Sequence, residues 1–240
     1  MVASQNIESS EIGIEILNQG GNAIDAAVAV GFSLAITLPR AGNLGGGGFM
    51  MIYLKERDEI FAIDYRGQAS ASTNLDELFN TNPSRDYANT NFEVVEYGYK
   101  ASTVPGTVSG LLQAHKNFGK LPLTEVLKPV IRQAEEGIRV SYDLEQAIGS
   151  SSQLKKDPES RRIYFKDGSP IKQGSLMQRP DLAKTLSLIA ENGAKTFYEG
   201  EIAEKFVLAM QLNEGLITDA CLLYTSPSPR DATLSRMPSS

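Results

Sequence analysis

The chain has no tryptophan, one cysteine and one histidine. A single cysteine, Cys221, excludes an internal disulfide and a zinc site built on cysteine pairs. A single histidine, His115, leaves no imidazole cluster for a catalytic metal. No metal and no cofactor are therefore expected. Positive charge is also the minority: 23 Lys and Arg stand against 29 Asp and Glu, for a net charge of −6 and a pI near 5.0. Without a basic stripe, nucleic acid and anionic membrane surfaces are not expected partners. No apolar run is long enough to span a bilayer. The longest, Ala23–Leu38, carries Asp25, lacks basic flanks and falls short of the roughly 20 residues required. The opening MVASQNIESS has neither a basic n-region nor an apolar h-region, so no signal peptide is visible.

What is present is enough apolar material for a core: 41% of 240 residues. The organising stretch is Gly20–Met50, GGNAIDAAVAVGFSLAITLPRAGNLGGGGFM. Gly20-Gly21 suits a helix end or tight turn, and Asn22 suits the cap of a new helix with Asp25 in its first turn. Ala23 to Ile36 is apolar almost all round, which predicts a helix buried on several faces, Ala27 included. Pro39 stops it. The loop Gly42-Asn43-Leu44-Gly45-Gly46-Gly47-Gly48 follows, then Phe49–Lys55, a strand by composition. The loop is not a phosphate loop, because it lacks G-K-[ST] and precedes a strand rather than a helix. Its glycines are read as structural, allowing backbones to approach closely.

The rest of the chain reads as helices with few strands. Ser4–Leu17 has helical spacing, and Phe49–Lys55 with Ile60–Tyr65 forms a hairpin on which the Ala23–Ile36 helix is expected to pack. Ser70–Asn91 reads as a surface loop with a short helix near Leu75–Phe79, and Tyr97–Val104 as a strand. Helices follow at Val108–Phe118, Leu123–Glu136, Ser141–Gln153, Asp181–Glu191 and Glu201–Asn213, with a turn-rich ribbon on Lys166-Asp167-Gly168. The last twenty residues, CLLYTSPSPRDATLSRMPSS, change to a Ser/Pro-rich composition without periodicity. They are expected to be a disordered or artefactual tail, with residues 1–220 forming the folded segment and 221–240 outside it.

Several pieces taken in order carry a resemblance: GGNAIDAAVAV, AGNLGGGGFM, AIDYR, TVPGTVSG, Gly119-Lys120-Leu121-Pro122-Leu123, AEEG, FYEG at Phe197–Gly200 and Gly215-Leu216-Ile217-Thr218. Together they resemble the front part of the large subunit of the γ-glutamyltransferase (γ-glutamyltranspeptidase) family, from residue 1 to about residue 219. The resemblance implies an α/β (α+β) chain, a partial αββα sandwich of the N-terminal nucleophile hydrolase type, incomplete without the small subunit. It implies a precursor that cleaves itself. The new N-terminal threonine of the small subunit then attacks the γ-glutamyl amide of glutathione or a related compound, and water, an amino acid or a peptide takes the acyl group. That threonine is expected beyond this chain, so the chain alone is expected to be inactive. A periplasmic, secreted or cell-surface location is implied in the same way. Cephalosporin or glutaryl acylases and poly-γ-glutamate-cleaving enzymes share much of the pattern. A non-catalytic small-molecule binding domain is the reading from a different class.

The resemblance places Arg66 on the family's arginine that holds the substrate α-carboxylate, and no other site residue can be carried over. A guanidinium fork binds a carboxylate in bidentate fashion, and a strand end holds the fork rigidly. An arginine after a hairpin is otherwise an ordinary solvated side chain. One position departs from the pattern: Gly67-Gln68 follows where an acidic residue is usual. His115 lies on the apolar stripe of its helix and reads as a core or edge histidine, and Thr107 and Ser109 read as helix-start residues rather than nucleophiles.

Overall fold

A computed structural model of the chain describes residues 1–74, 97–225 and 235–236. In chain order the elements begin with α1 (Ile7–Asn18), α2 (Ala23–Thr37), β1 (Phe49–Leu54) and β2 (Glu59–Asp64). After a 3₁₀ turn at Tyr99–Ala101 come α3 (Thr107–Phe118), α4 (Leu123–Glu136), β3 (Ile138–Arg139), α5 (Tyr142–Ser150), α6 (Ser152–Lys156) and α7 (Pro158–Tyr164). Then follow β4 (Phe165–Lys166), β5 (Ser169–Pro170), β6 (Leu176–Met177), α8 (Pro180–Asn192), α9 (Ala194–Tyr198), α10 (Glu201–Leu212), α11 (Asp219–Thr225) and β7 (Ser235–Arg236). The chain is mixed helix and sheet. It divides into a first unit, Met1–Asn43 with Ala114–Glu191, and a second, Leu44–Gln113 with Asn192–Ser240. Among the described residues no helix is long and apolar enough to cross a membrane.

The first unit is built around α2. Its start is a capping box: the Asn22 side chain accepts the N–H groups of Ile24 and Asp25, both at 2.9 Å, and the Asp25 carboxylate accepts the Asn22 N–H at 2.9 Å. Val28, Ala29, Phe32 and Ile36 are fully buried. Each of the larger side chains contributes about 1.5–3 kcal/mol by leaving water. Within the first unit the partners that bury α2 are α1 and α4. Ala27 is exposed, so the all-round burial predicted from composition fails on that face. Polar groups enter the same interface: the Ser9 hydroxyl lies 2.8 Å from that of Ser33 and 2.7 Å from that of Thr37, and Ser33 donates to Gln133 Oε1 at 2.7 Å. Buried hydroxyls satisfied in this way pin the register of three helices.

Asp25 does more than cap. It is completely buried, and its carboxylate also accepts the Lys120 N–H at 3.0 and 3.1 Å and the Leu121 N–H at 3.2 Å. Asn22 Nδ2 donates to the Phe118 carbonyl at 2.7 Å. His115 completes the cluster. Its Nε2 lies 2.8 Å from the Leu121 carbonyl, which can only accept, and 3.7 Å from Asp25 Oδ1. The start of α2 is thereby tied to the turn between α3 and α4.

On α1, Glu8, Glu11 and Glu15 share a face, and Glu15 pairs with Arg132 of α4 at 2.7 Å. Glu8 Oε2 is buried without a hydrogen-bond partner. Burial pushes the Glu8 carboxyl above its ordinary range. The Arg139 backbone N–H lowers it and Glu11 adds to the rise. The remainder of the unit follows its local signals. Gly137, at φ 89, ends α4, and Ser141 caps α5. Asp167 and Gly168, at φ 50 and 76, make the tight turn joining β4 to β5. The helix expected to run to Gln153 stops at Ser150, and α6 and α7 occupy the charged stretch after it.

In the second unit β1 and β2 pair antiparallel, from Phe49 opposite Asp64 to Leu54 opposite Glu59, and β7 adds to β2. The strand expected at Tyr97–Val104 is instead the 3₁₀ turn followed by one isolated bridge, Gln68 with Val104. The short helix expected near Leu75–Phe79 lies outside the described residues. The small helices α9, α10 and α11 pack together, with Phe197, Tyr198, Val207, Met210, Ile217 and Leu222 buried. A disordered or artefactual tail was expected from residue 221; α11 runs to Thr225 with Cys221 and Leu222 buried, and residues 226–234 and 237–240 lie outside the description.

Three outcomes are expected. Ala29→Asp should destabilise severely by burying an unpaired charge, whereas Ala27→Asp should leave the melting temperature within a few degrees. Asp25→Ala should cost about 3 kcal/mol or more in denaturant unfolding, since it strands the buried amides of Asn22, Lys120 and Leu121. Glu8→Gln should raise the melting temperature at pH 7 and lose that advantage near pH 4. The folded state raises the Glu8 pKa, so its contribution is fully present below the unfolded value and is lost as pH rises through the folded one.

Candidate functional site

Arg66 stands two residues past Asp64, the last residue of β2. Side chains alternate along a strand, so Ile60, Ala62, Asp64 and Arg66 point to one side. The register brings Phe49, Met51 and Tyr53 to that side as well. Phe49, Met51, Tyr53 and Ile60 are all exposed, so Arg66 lies at the end of an open apolar strip.

The backbone that carries Arg66 is fixed from both sides. Past the strand ends, Tyr65 N–H donates to the Gly48 carbonyl at 2.9 Å and Gly48 N–H to the Tyr65 carbonyl at 3.3 Å. The Gly46 carbonyl accepts the N–H groups of Gly106 at 2.8 Å and Thr107 at 3.0 Å. The amides of a helix's first turn have no intrahelical acceptor, so the glycine loop supplies one for α3. A Cβ on Gly106 would collide with the Tyr65 carbonyl, and one on Gly47 with the Tyr65 carbonyl and the Gly67 nitrogen. Val104 N–H donates to the Gln68 carbonyl at 2.8 Å. From the other side, the Tyr198 hydroxyl donates to the Pro105 carbonyl and accepts the Ser109 N–H, both at 3.0 Å. Three segments distant in sequence, AGNLGGGGFM, AIDYR and TVPGTVSG, thus meet around Tyr65, and FYEG supplies the Tyr198 clamp.

The Arg66 side chain is exposed and makes no ion pair among the described residues. Its guanidinium carbon lies 5.8 Å from the centroid of the Phe49 ring, and its backbone N–H donates to Asp64 Oδ1 at 3.0 Å. A planar cation with five donors and no ion pair among the described residues can receive an anion with two oxygens. Thr107 is buried at the helix start, and the Ser109 amide is taken by Tyr198, so these two residues secure the turn. His115 belongs to the Asp25 cluster of the first unit. Among the described residues no three His, Cys, Asp or Glu side chains gather to hold a metal. The sequence reading missed Tyr198, Phe49 and Asp64. Their roles depend on partners far along the chain or across a strand pair, which local periodicity does not register.

Residues 9–226 match the family described as Gamma-glutamyltranspeptidase. The glutathione hydrolase proenzyme of Escherichia coli (strain K12) is 41% identical over 220 residues, which are 91% of this chain and 37% of that protein. The solved gamma-glutamyltranspeptidase of Helicobacter pylori superposes with a TM-score of 0.86 at 37% identity, covering 93% of this chain and 63% of that one. The cephalosporin acylase from Bacillus halodurans is a more distant likeness, with a TM-score of 0.75 at 26% identity, covering 89% of this chain and 40% of that one. The chain spans 37% of the length of the Escherichia coli relative, and the same share of the glutathione hydrolase proenzyme of Pseudomonas aeruginosa. Its mixed helix and sheet agree with an incomplete α/β fold of the kind these structures share. The ordered motifs around Tyr65 and the near-complete match agree: the chain belongs to the gamma-glutamyltranspeptidase family.

Proposed function

We propose that this chain is part of a γ-glutamyltransferase and glutathione hydrolase, and that it supplies the anchor for the α-carboxylate of the γ-glutamyl group. The observation that supports this most is Arg66: a rigidly based guanidinium, exposed, without an ion pair among the described residues, at the place the family resemblance assigns to the anchor. Binding a part of the substrate remote from the scissile amide orients that amide for attack. The attack itself is proposed to come from a threonine in the length of such an enzyme that this chain does not span. That threonine's free α-amine acts as base, and an acyl-enzyme forms and passes its acyl group to water, an amino acid or a peptide. The remaining polypeptide, as a small subunit, is the proposed partner, and glutathione or a related γ-glutamyl compound the proposed substrate. The native family segment is proposed to end near residue 220, where the composition changes, with α11 carrying the fold across that point to Thr225. The likeness to a cephalosporin acylase supports a second reading, in which the transferred acyl group is not γ-glutamyl.

Arg66→Ala in the full-length protein should lower kcat/KM for a γ-glutamyl anilide by about 10- to 100-fold, the worth of a charge-assisted bidentate contact. Most of the loss should fall on KM, and self-cleavage should proceed. A matched substrate without the α-carboxylate should lose heavily against the parent and little more against Arg66→Ala. Independent, additive penalties would refute direct contact. Equal turnover of both substrates by the parent would favour the acylase reading.

A further inference from the structure

Taking Arg66 as the carboxylate anchor, we propose that Phe49 is its positioning residue: the ring is the platform that holds the guanidinium in the orientation that receives the substrate. The inference rests on that reading of Arg66 and deepens it. Phe49 opens β1 and pairs with Asp64 at the end of β2, so ring and arginine share the exposed face. The ring is 64% exposed, so it contributes little to a core. The Arg66 guanidinium carbon lies 5.8 Å from its centroid. That distance lies within the range in which a cation is drawn to an aromatic face.

Among the described residues no hydrogen bond or ion pair to another side chain fixes the direction of the Arg66 guanidinium. The next residue, Gly67, has no side chain, and a Cβ there would collide with the Thr103 hydroxyl, so this backbone does not seat an orienting acid at that position. Asp64 spends its carboxylate on the Arg66 backbone N–H at 3.0 Å, which shapes the strand exit and leaves the guanidinium alone. A ring does what a carboxylate neighbour cannot. It attracts the cation without taking up any of its N–H donors, so it steadies the fork without competing with the substrate for them.

The test uses the full-length protein with Phe49→Leu and Phe49→Trp, each alone and combined with Arg66→Ala. Steady-state kinetics are taken on a γ-glutamyl anilide and on its analogue lacking the α-carboxylate. Phe49→Leu is expected to raise KM for the carboxylate-bearing anilide about 3- to 10-fold with kcat within twofold, in line with an exposed cation–π contact and the order it imposes. Phe49→Trp, which keeps an aromatic face, should stay close to the parent. In the Arg66→Ala background, and on the analogue, Phe49→Leu should add nothing. An unchanged KM in Phe49→Leu overturns the proposal. So does an equal rise in the Arg66→Ala background, since Phe49 would then act through the sheet. If Arg66→Ala itself leaves KM unchanged, the reading of Arg66 fails, and the role of Phe49 fails with it.

Discussion

The contact on which the site-bearing unit depends is the close approach of backbone to backbone around Tyr65. Gly46 gives its carbonyl to the first amides of α3, Gly48 continues the ladder to Tyr65, and Gly106 sits where any side chain would strike the Tyr65 carbonyl. Side chains cannot make such a junction, because they would hold the segments several ångströms apart. Glycine is normally a weak choice in ordered structure, since it loses more conformational entropy on folding than other residues. Here that cost is offset by hydrogen bonds that only a bare backbone can form. The consequence is functional: the residue after Tyr65 is held at its Cα by three segments, so its side chain projects from a fixed base.

The first unit solves a similar problem with a charge. Asp25 is an ionisable group with no exposed surface, which is costly unless its oxygens are taken up by donors. They are, by amides of its own helix cap and of the Lys120-Leu121 turn. The carboxylate therefore joins two segments whose termini would otherwise carry unsatisfied N–H groups. Ser33 and Thr37 extend the pattern deeper. In a helix that composition alone presents as apolar, hydroxyls lie within hydrogen-bond reach of Ser9 and Gln133.

What the sequence discloses is whatever is encoded within one turn of helix or one strand. Leu123–Glu136, the hairpin and the caps Asn22 and Ser141 are legible because periodicity and capping chemistry are local. Tyr97–Val104 was misread because its apolar and aromatic content resembles a strand, yet among the described residues it pairs only with Gln68, in a single bridge. Ala27 was misread because alanine says little about burial. The partners of α2 cover some of its faces, and no side chain at 27 reveals which. The proposed role of Arg66 rests on the ordered motifs around it, since an isolated arginine after a hairpin is usually solvated. Phe49 and Tyr198 were not legible at all. Their meaning lies in a register and in a contact across roughly ninety residues of chain.

The setting of Arg66 carries the last step. In open water a guanidinium and a carboxylate attract by about 1 kcal/mol at contact distance, too little to orient a substrate, and the attraction grows several-fold as the effective dielectric falls. The surroundings of the fork therefore matter as much as the fork. Phe49, Met51, Tyr53 and Ile60 line the face from which Arg66 projects, and none of them can hydrogen-bond strongly to water beside it except through the tyrosine hydroxyl, which reaches Asp58 at 3.1 Å. An apolar strip of this kind sheds water readily when another surface lies over it. A cation at its end would then meet its carboxylate in a medium where the pair is strong. The same cation on a polar face would remain hydrated and bind weakly. Exposed apolar side chains are a liability for solubility, and if Arg66 is the anchor proposed above, those nearest it, Phe49 first, would lower the dielectric in which it meets a carboxylate.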